Sequence, residues 1–261
     1  MLKIIVCIKQ VPDIKEGIKF KPDGTLDRVA MAAIMNPDDK AGLEAALRIK
    51  DSQDAEITAL CMGVPKAEEV LREAIAMGAD KGILITDRVL GGADTWATSC
   101  TIAAGIRKLE YDLIITGRQA IDGDTAQVGP QLSEHLDIPV ISYVSELKIE
   151  GNTIIAHRQF DDRTHVLKVG MPCLITALAE LNKPRYMTPK GIWEAWDAEI
   201  TVWSRKDLTD LDDKDVGLKG SPTKIARASD KVHKGAGEIF NMDPDEAIAT
   251  LMSKLDERHL I

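Results

Sequence analysis

Through residue 145 the chain alternates between two hydrophobic textures. Short β-branched runs at Lys3–Ile8, Glu56–Cys61, Gly82–Thr86, Leu113–Thr116 and Val140–Val144 read as strands. Between them, apolar residues recur every three or four positions, which is the helical period. Asn36-Pro37-Asp38-Asp39 ahead of Ala41, Leu43, Ala45, Ala46, Leu47 and Ile49 predicts a capped helix with proline in its first turn. Pro65 opens a second helix, through Val70, Leu71, Ala74, Ile75 and Met77, and Gly78 stops it. Asp94 or Thr95 caps a third, and Thr125 a fourth that ends near Asp137-Ile138-Pro139. Strand–helix alternation at this spacing predicts an α/β fold: a mostly parallel sheet with helices on both faces. Strand order is not legible in the pattern.

From Glu146 the texture changes. Leu147-Lys148-Ile149 and Thr153-Ile154-Ile155 flank Glu150-Gly151-Asn152, a hairpin signal. A second alternation from His165 to Val169 runs into Met171-Pro172 and the apolar strand Cys173–Thr176, so antiparallel strands are expected on the same sheet. Beyond Tyr186 come Trp193, Trp196 and Trp203, all inside eleven positions, and then a polar stretch, Lys206–Lys234, with no periodic core. A last amphipathic helix, Asp245–Leu255, follows Asp243-Pro244. The expected division is an α/β domain at 1–190 and a C-terminal arm at 191–261. Such an arm lies either on its own domain or on a partner, and tryptophan anchors favour the partner.

Composition narrows the class. The 261 residues are 44% apolar and 29% charged, enough for a sizeable core and a polar surface. With 33 basic and 42 acidic side chains the net charge is −9, which argues against a nucleic-acid or anionic-membrane binder. No apolar run is long enough for membrane insertion, and the start reads as a first strand rather than a signal peptide. Cys7, Cys61, Cys100 and Cys173 are scattered, with no CxxC pair, which suits free buried thiols in a reducing cytoplasm. His157 and His165, with Asp161 and Asp162 between them, do not complete a metal-ligand cluster.

Candidate chemistry concentrates in the segment from Gly117 to Pro130, between a strand end and a helix start, where open parallel sheets bind ligands. Asp122 and Asp124 suit ribose hydroxyls, Gly117 and Gly123 permit close backbone approach, and the N–H groups at Thr125–Gln127 suit a phosphate. The same features also fit an ordinary helix N-terminus with acidic caps. A second Gly-rich turn, Leu90 to Ser99, has a similar setting and hydroxyl content. No GxGxxG follows the first strand and no GxxxxGK[ST] is present, which disfavours a simple dehydrogenase or P-loop ATPase. Lys9 and Arg185 are candidate anion contacts. No residue reads as a general base with an assigned partner, so no catalytic residue is assigned, and a bound cofactor is expected to carry any chemistry.

Five segments then match a family in order and spacing. Val6-Cys7-Ile8-Lys9-Gln10-Val11-Pro12, Met35-Asn36-Pro37, Ala76-Met77-Gly78-Ala79-Asp80, Gly117 through Pro130, and Leu181-Asn182-Lys183-Pro184-Arg185-Tyr186 resemble the β (small) subunit of electron-transfer flavoproteins. The resemblance runs from the first strand to about Tyr186 and more loosely through the tail. It implies an adenine-nucleotide α-hydrolase-like α/β fold and a heterodimer with a larger α subunit, on which the C-terminal arm wraps. In the carrier branch of that family the small subunit holds a structural AMP. In the bifurcating branch of anaerobes it holds FAD, which takes hydride from NADH; one electron goes to ferredoxin or flavodoxin and the other, through the α-subunit FAD, to a flavin-dependent dehydrogenase.

Carried over by position, the cofactor site comprises Cys7, Asn36, Asp39, Met62, Gly117, Gln119, Ala120, Asp122, Gly123, Asp124, Thr125, Ala126, Gln127 and Val128. Asp94, Thr95 and Thr98 lie in a stretch similar to the bifurcating branch, and Gly123 and Thr125 leave space for a flavin, so FAD with NAD(H) is the favoured expectation and AMP the alternative. The partner surface comprises Arg185, Tyr186, Pro189, Trp193 and Trp196. Two departures from the family pattern stand out. Asp161-Asp162 is followed by Arg163, with His165 in place of an acidic or amide residue, and Pro189 stands where carrier types present a leucine to acyl-CoA dehydrogenases. The dehydrogenase is accordingly of acyl-CoA/enoyl-CoA or lactate type.

Overall fold

The computed structural model describes residues 1–13, 32–224, 235 and 237–261. In chain order the elements are β1 (Leu2–Ile8), β2 (Gln10–Pro12), β3 (Ala33–Met35), α1 (Pro37–Ser52), β4 (Ala55–Met62), α2 (Glu68–Met77), β5 (Lys81–Ile85), α3 (Thr95–Ile106), β6 (Leu113–Gly117), α4 (Val128–Leu136), β7 (Val140–Glu150), β8 (Thr153–Gln159), β9 (Thr164–Gly170), β10 (Cys173–Ala177), α5 (Pro189–Asp197), β11 (Ile200–Trp203), α6 (Gly217–Gly220) and α7 (Pro244–Glu257). Two compact units divide the chain, Met1–Ala226 and Arg227–Ile261.

Nine strands form the central sheet in the order β11-β5-β4-β1-β6-β10-β7-β8-β9, and β2 and β3 pair antiparallel as a separate ribbon. Every ladder from β11 to β7 is parallel, while β7-β8-β9 is an antiparallel meander. The expected fold class is thus observed. Period-2 geometry sends alternate side chains to opposite faces. Ile4, Val6 and Ile8 join one core with α1 and α2, whereas Ile5 and Cys7 join a second core with α3 and α4. β6 and β10 split in the same way, Ile114 and Leu174 facing the second core and Leu113, Ile115, Cys173 and Ile175 the first. Strands covered on both faces are why the sequence reads as unbroken apolar runs.

Two expectations change. Val140–Val144 and Leu147–Ile149 are one eleven-residue strand, β7, whose first half pairs parallel with β10 and second half antiparallel with β8; the register shifts around Ser145, beside Tyr143 at φ 59°. The division expected at 190/191 also moves. Residues just past it belong to the first unit, because β11 extends the sheet beside β5 and α5 packs on α2. Trp203 packs against the second core, with Lys108 Nζ 3.9 Å from its ring centroid, and the polar stretch after it supplies buried Leu208 and Leu211 to that core. The second unit contains α7, entered through Pro244 with Asp243 accepting from the Asp245 N–H.

α5 is fixed to α2 at both ends. Arg72 donates to the carbonyls of Ala195 (2.6 Å) and Trp196 (2.8 Å), satisfying groups that a helix C-terminus leaves without partners. At the other end Gly191 lies so close to α2 that a Cβ would stand 2.3 Å from the Ala76 carbonyl oxygen. Gly191→Ala is therefore expected to lower stability by about 1–3 kcal/mol, the usual scale of an overpacked contact. Lys190→Ala, one residue away and exposed, should stay within about 0.5 kcal/mol. Urea midpoints of the two variants check this.

Candidate functional site

The winding of the sheet reverses at β1. The chain leaves β1 through α1 to β4 and then β5 on one side, and returns through α3 to β6 on the other. A crevice opens at such a reversal, beyond the carboxyl ends of the strands. Asp39, in the first turn of α1, ties the two strand ends together. Its Oδ2 accepts from the Lys9 N–H (2.8 Å) and its Oδ1 from the Gly117 N–H (2.9 Å). Gly117 is obligatory here, since a Cβ would sit 2.2 Å from Asp39 Oδ1. Burial pushes the Asp39 carboxyl up to about 7 against the pull of its hydrogen-bond donors.

Asn36 occupies the N-cap position of α1, yet makes no side-chain cap hydrogen bond. Its amide reaches across the crevice instead: Nδ2 donates to the Gln119 carbonyl (2.8 Å) and Oδ1 accepts from the Ile121 N–H (3.1 Å). Lys9 Nζ is 2.7 Å from Asp122 Oδ1, and Arg118 Nε lies 3.4 Å from Asp38 Oδ2. Asn36 and Asp39 are buried, so of the sequence-predicted residues these two hold the loop, while Gly123, Asp124, Thr125 and Gln127 are exposed at its lip. A Cβ at Gly123 would meet nothing within 4 Å.

The loop runs further than the sequence suggests. α4 starts at Val128, not after a Thr125 cap, and its N-cap position, Gln127, makes no side-chain cap hydrogen bond. The delay has a backbone cause: Asp124 (φ 52°) and Ala126 (φ 53°) are left-handed, at a cost of about 1–2 kcal/mol each for a residue with a Cβ. The ties from Asn36 and the Gln119–Asp124 side-chain hydrogen bond sustain that conformation. Ala120 closes a turn through its carbonyl, which accepts from the Asp124 N–H at 2.8 Å.

At the second Gly-rich turn Asp94 caps α3, as expected, with Oδ1 accepting from the Ala97 N–H (3.1 Å). Its other oxygen accepts from both the N–H (2.9 Å) and the hydroxyl (2.7 Å) of Thr223, and its own N–H donates to Ser221 Oγ (2.8 Å). These donors outweigh the burial that would raise the carboxyl and hold it below its ordinary range. Asp94 thus latches the end of the first unit onto α3, a role no local signal announces, since Thr223 is 129 residues away. Thr95 is the one that meets the main loop, donating to Gln127 Oε1 (2.9 Å), and Thr98 is half-buried one turn further along α3.

Met62 ends β4, and Cys7 is the last residue but one of β1. All four cysteines are free and buried, and desolvation raises each thiol, to about 12 for Cys61 and about 11 for Cys173. Arg185 points away from the crevice. Its guanidinium contacts Glu44 (2.8 Å) and Asp51 (2.7 Å), which hold it above its ordinary range and fasten the 181–186 segment to α1. Next to it Tyr186, Trp193 and Trp196 are 91%, 77% and 79% exposed, and Pro189 opens α5. His157 and His165 lie on the paired strands β8 and β9, one position out of register, and make separate contacts: His157 Nδ1 is 3.1 Å from Glu146, and His165 packs on Phe160.

The electron transfer flavoprotein domain family matches residues 23–208. The chain is 50% identical over its full length to the electron transfer flavoprotein subunit beta of Clostridium acetobutylicum, itself fully covered. It is 48% identical to the caffeyl-CoA reductase-Etf complex subunit CarD of Acetobacterium woodii and 45% identical to the acryloyl-CoA reductase electron transfer subunit gamma of Anaerotignum propionicum, again with both chains fully covered. No helix among the described residues is long and apolar enough to cross a membrane.

The Asp39 tie predicts a pH signature. Its folded pKa of about 7 lies above the roughly 3.9 of an unfolded aspartate, so the folded state holds this proton more tightly. Its contribution to stability is full below about pH 4 and declines as pH rises towards 7. Asp39→Asn removes the titration. The stability of wild type minus variant, from urea midpoints across pH 4–7.5, should therefore shrink as pH rises; a difference that grows with pH contradicts the assignment.

Proposed function

Because the chain belongs to the electron transfer flavoprotein family, we propose that it is the small subunit of a bifurcating member, cytoplasmic, paired with an α subunit and holding FAD in the crevice at the β1/β6 reversal. The observation that carries this reading is the loop 117–127. It is tied from beneath by Asn36, Asp39 and Lys9, leaving its lip exposed with a clear space at Gly123. A prebuilt, backbone-rich lip beside a helix N-terminus with no side-chain cap suits the phosphate and ribose end of an adenine dinucleotide.

In this reading the chain's own residues bind, orient and exclude water. Lys9 holds Asp122 in place, so that the loop keeps its shape whether or not a ligand is present. Asp124 and Thr125 face ribose and phosphate groups, and Gln127 stands at the helix entrance. FAD bound here would supply hydride acceptance from NADH and the parting of its two electrons towards ferredoxin or flavodoxin and towards the α-subunit FAD. The aromatic face of Tyr186, Trp193 and Trp196 is the surface we assign to protein partners. Two relatives are named for caffeyl-CoA and acryloyl-CoA reductase assemblies, which favours a dehydrogenase of acyl-CoA/enoyl-CoA type over one of lactate type.

The nucleotide content of the purified αβ complex tests this directly. Heat release and chromatography should give two FAD and no AMP per complex. One FAD with one AMP would make the subunit a structural element of a simple carrier and remove the NADH assignment. Asp122→Ala should lose the second FAD; unchanged flavin content and unchanged reduction by NADH would overturn the site.

A further inference from the structure

A side-chain network joins the buried seam between α3 and α4 to the crevice. His135, near the end of α4, packs edge-on against Trp96, with ring centroids 5.0 Å apart. Its Nε2 lies 3.0 Å from Ser99 Oγ. That hydroxyl is also 2.9 Å from the Trp96 carbonyl oxygen and 3.2 Å from Gln131 Oε1, both of which only accept. Ser99 has one proton, and only its donation to Gln131 Oε1 continues the network. The contact to His135 is then a hydrogen bond only if His135 carries its proton on Nε2.

The remaining links run in the same sense. With Oε1 turned to Ser99, Gln131 donates from Nε2 to Thr95 Oγ1 (3.4 Å), and Thr95 donates to Gln127 Oε1 (2.9 Å). The network ends on the Gln127 amide nitrogen, at the exposed lip of the crevice. Ser99 is fully buried and the other members are partly buried up to the lip. In a low-dielectric setting such links reinforce one another.

We propose that His135 is a positioning residue for the crevice: by donating from Nε2 to Ser99 it sets the direction of the whole network and so presents Gln127 as a hydrogen-bond donor to an acceptor oxygen or nitrogen of the bound nucleotide. The inference rests on the reading of the crevice as a nucleotide or flavin site. Burial, then Arg107, which donates to the His135 carbonyl (3.2 Å), holds the imidazole below its ordinary range against the opposing Asp215 and Glu134. The ring is therefore neutral at pH 7, and its single proton sits on the nitrogen facing Ser99, with Cys100 Sγ 3.6 Å from that same nitrogen.

The test is a double-mutant cycle on the αβ complex, stripped of nucleotide and titrated with FAD or AMP. His135→Phe keeps a ring against Trp96 and removes the donor; it should weaken binding by roughly 3- to 10-fold, the worth of one net hydrogen bond. His135→Gln, whose amide nitrogen can replace Nε2, should restore affinity to within about 2-fold of wild type by the same measure. In a Gln127→Ala background His135→Phe should cost nothing further. Ser99→Ala breaks the same link by removing one oxygen and should behave alike, so the outcome does not hang on one fold-sensitive variant. Where FAD binds, its visible absorption band should shift in His135→Phe and return in His135→Gln. An equal loss with and without Gln127, or unchanged affinity in both His135→Phe and Ser99→Ala, overturns the positioning role alone. A wild-type complex that binds neither nucleotide overturns the reading of the crevice, and this inference with it.

Discussion

Two neighbouring parallel strands whose chains depart in opposite directions have no backbone partner for each other beyond their last ladder hydrogen bond. In this fold the Asp39 carboxylate fills that gap between β1 and β6, accepting one N–H from each. Its place in the first turn of α1 lets the helix dipole offset part of the cost of burying a carboxylate. Much else follows from this contact. Gly117 can bear no side chain, Asn36 is drawn from capping its own helix to holding the opposite loop, and Lys9 leaves its strand directly towards Asp122.

The sheet-forming part of this architecture is legible in the sequence because parallel strands buried on both faces leave a simple trace. Short apolar runs alternate with helical periods, and the predicted runs fall within about a residue of the observed β1, β4, β5, β6 and β10. What escapes is long-range pairing. The four residues of β11 carry no pattern that assigns them to β5, more than a hundred positions back. The parallel-then-antiparallel course of β7 likewise depends on which strands flank it. In the crevice, residue identities and their neighbourhood are legible, but roles are not. Asn36, Asp39 and Asp94 all lie where the family resemblance points, and their polar atoms are engaged with the chain's own backbone and side chains. The Ser99–His135 seam is invisible for the same reason, since a half-buried histidine on a helix has no local signature.

The two helix entrances beside the crevice are electrostatically unlike. α3 begins on a carboxylate that also anchors Thr223, so a negative charge already meets the positive end of its dipole. α4 begins after a left-handed stretch with no side-chain cap. The aromatic face of α5, by contrast, rests on a rigid base, because Arg72 and the close approach at Gly191 fix that helix to α2. Trp193 and Trp196 therefore project from a preorganised surface, which would reduce the ordering cost of the docking proposed above.

A chain in this family works around electrons in transit, and its four cysteine thiols bear on what that does to the polypeptide itself. Thiols are attacked as thiolates, and burial raises all four above their ordinary range and leaves little of them in contact with solvent. Stray oxidant generated at the surface thus finds little thiolate to convert into a sulfenic acid or a mixed disulfide. The fold thus keeps its thiols chemically quiet, and the strands that carry Cys7, Cys61 and Cys173 are shielded from damage by that route.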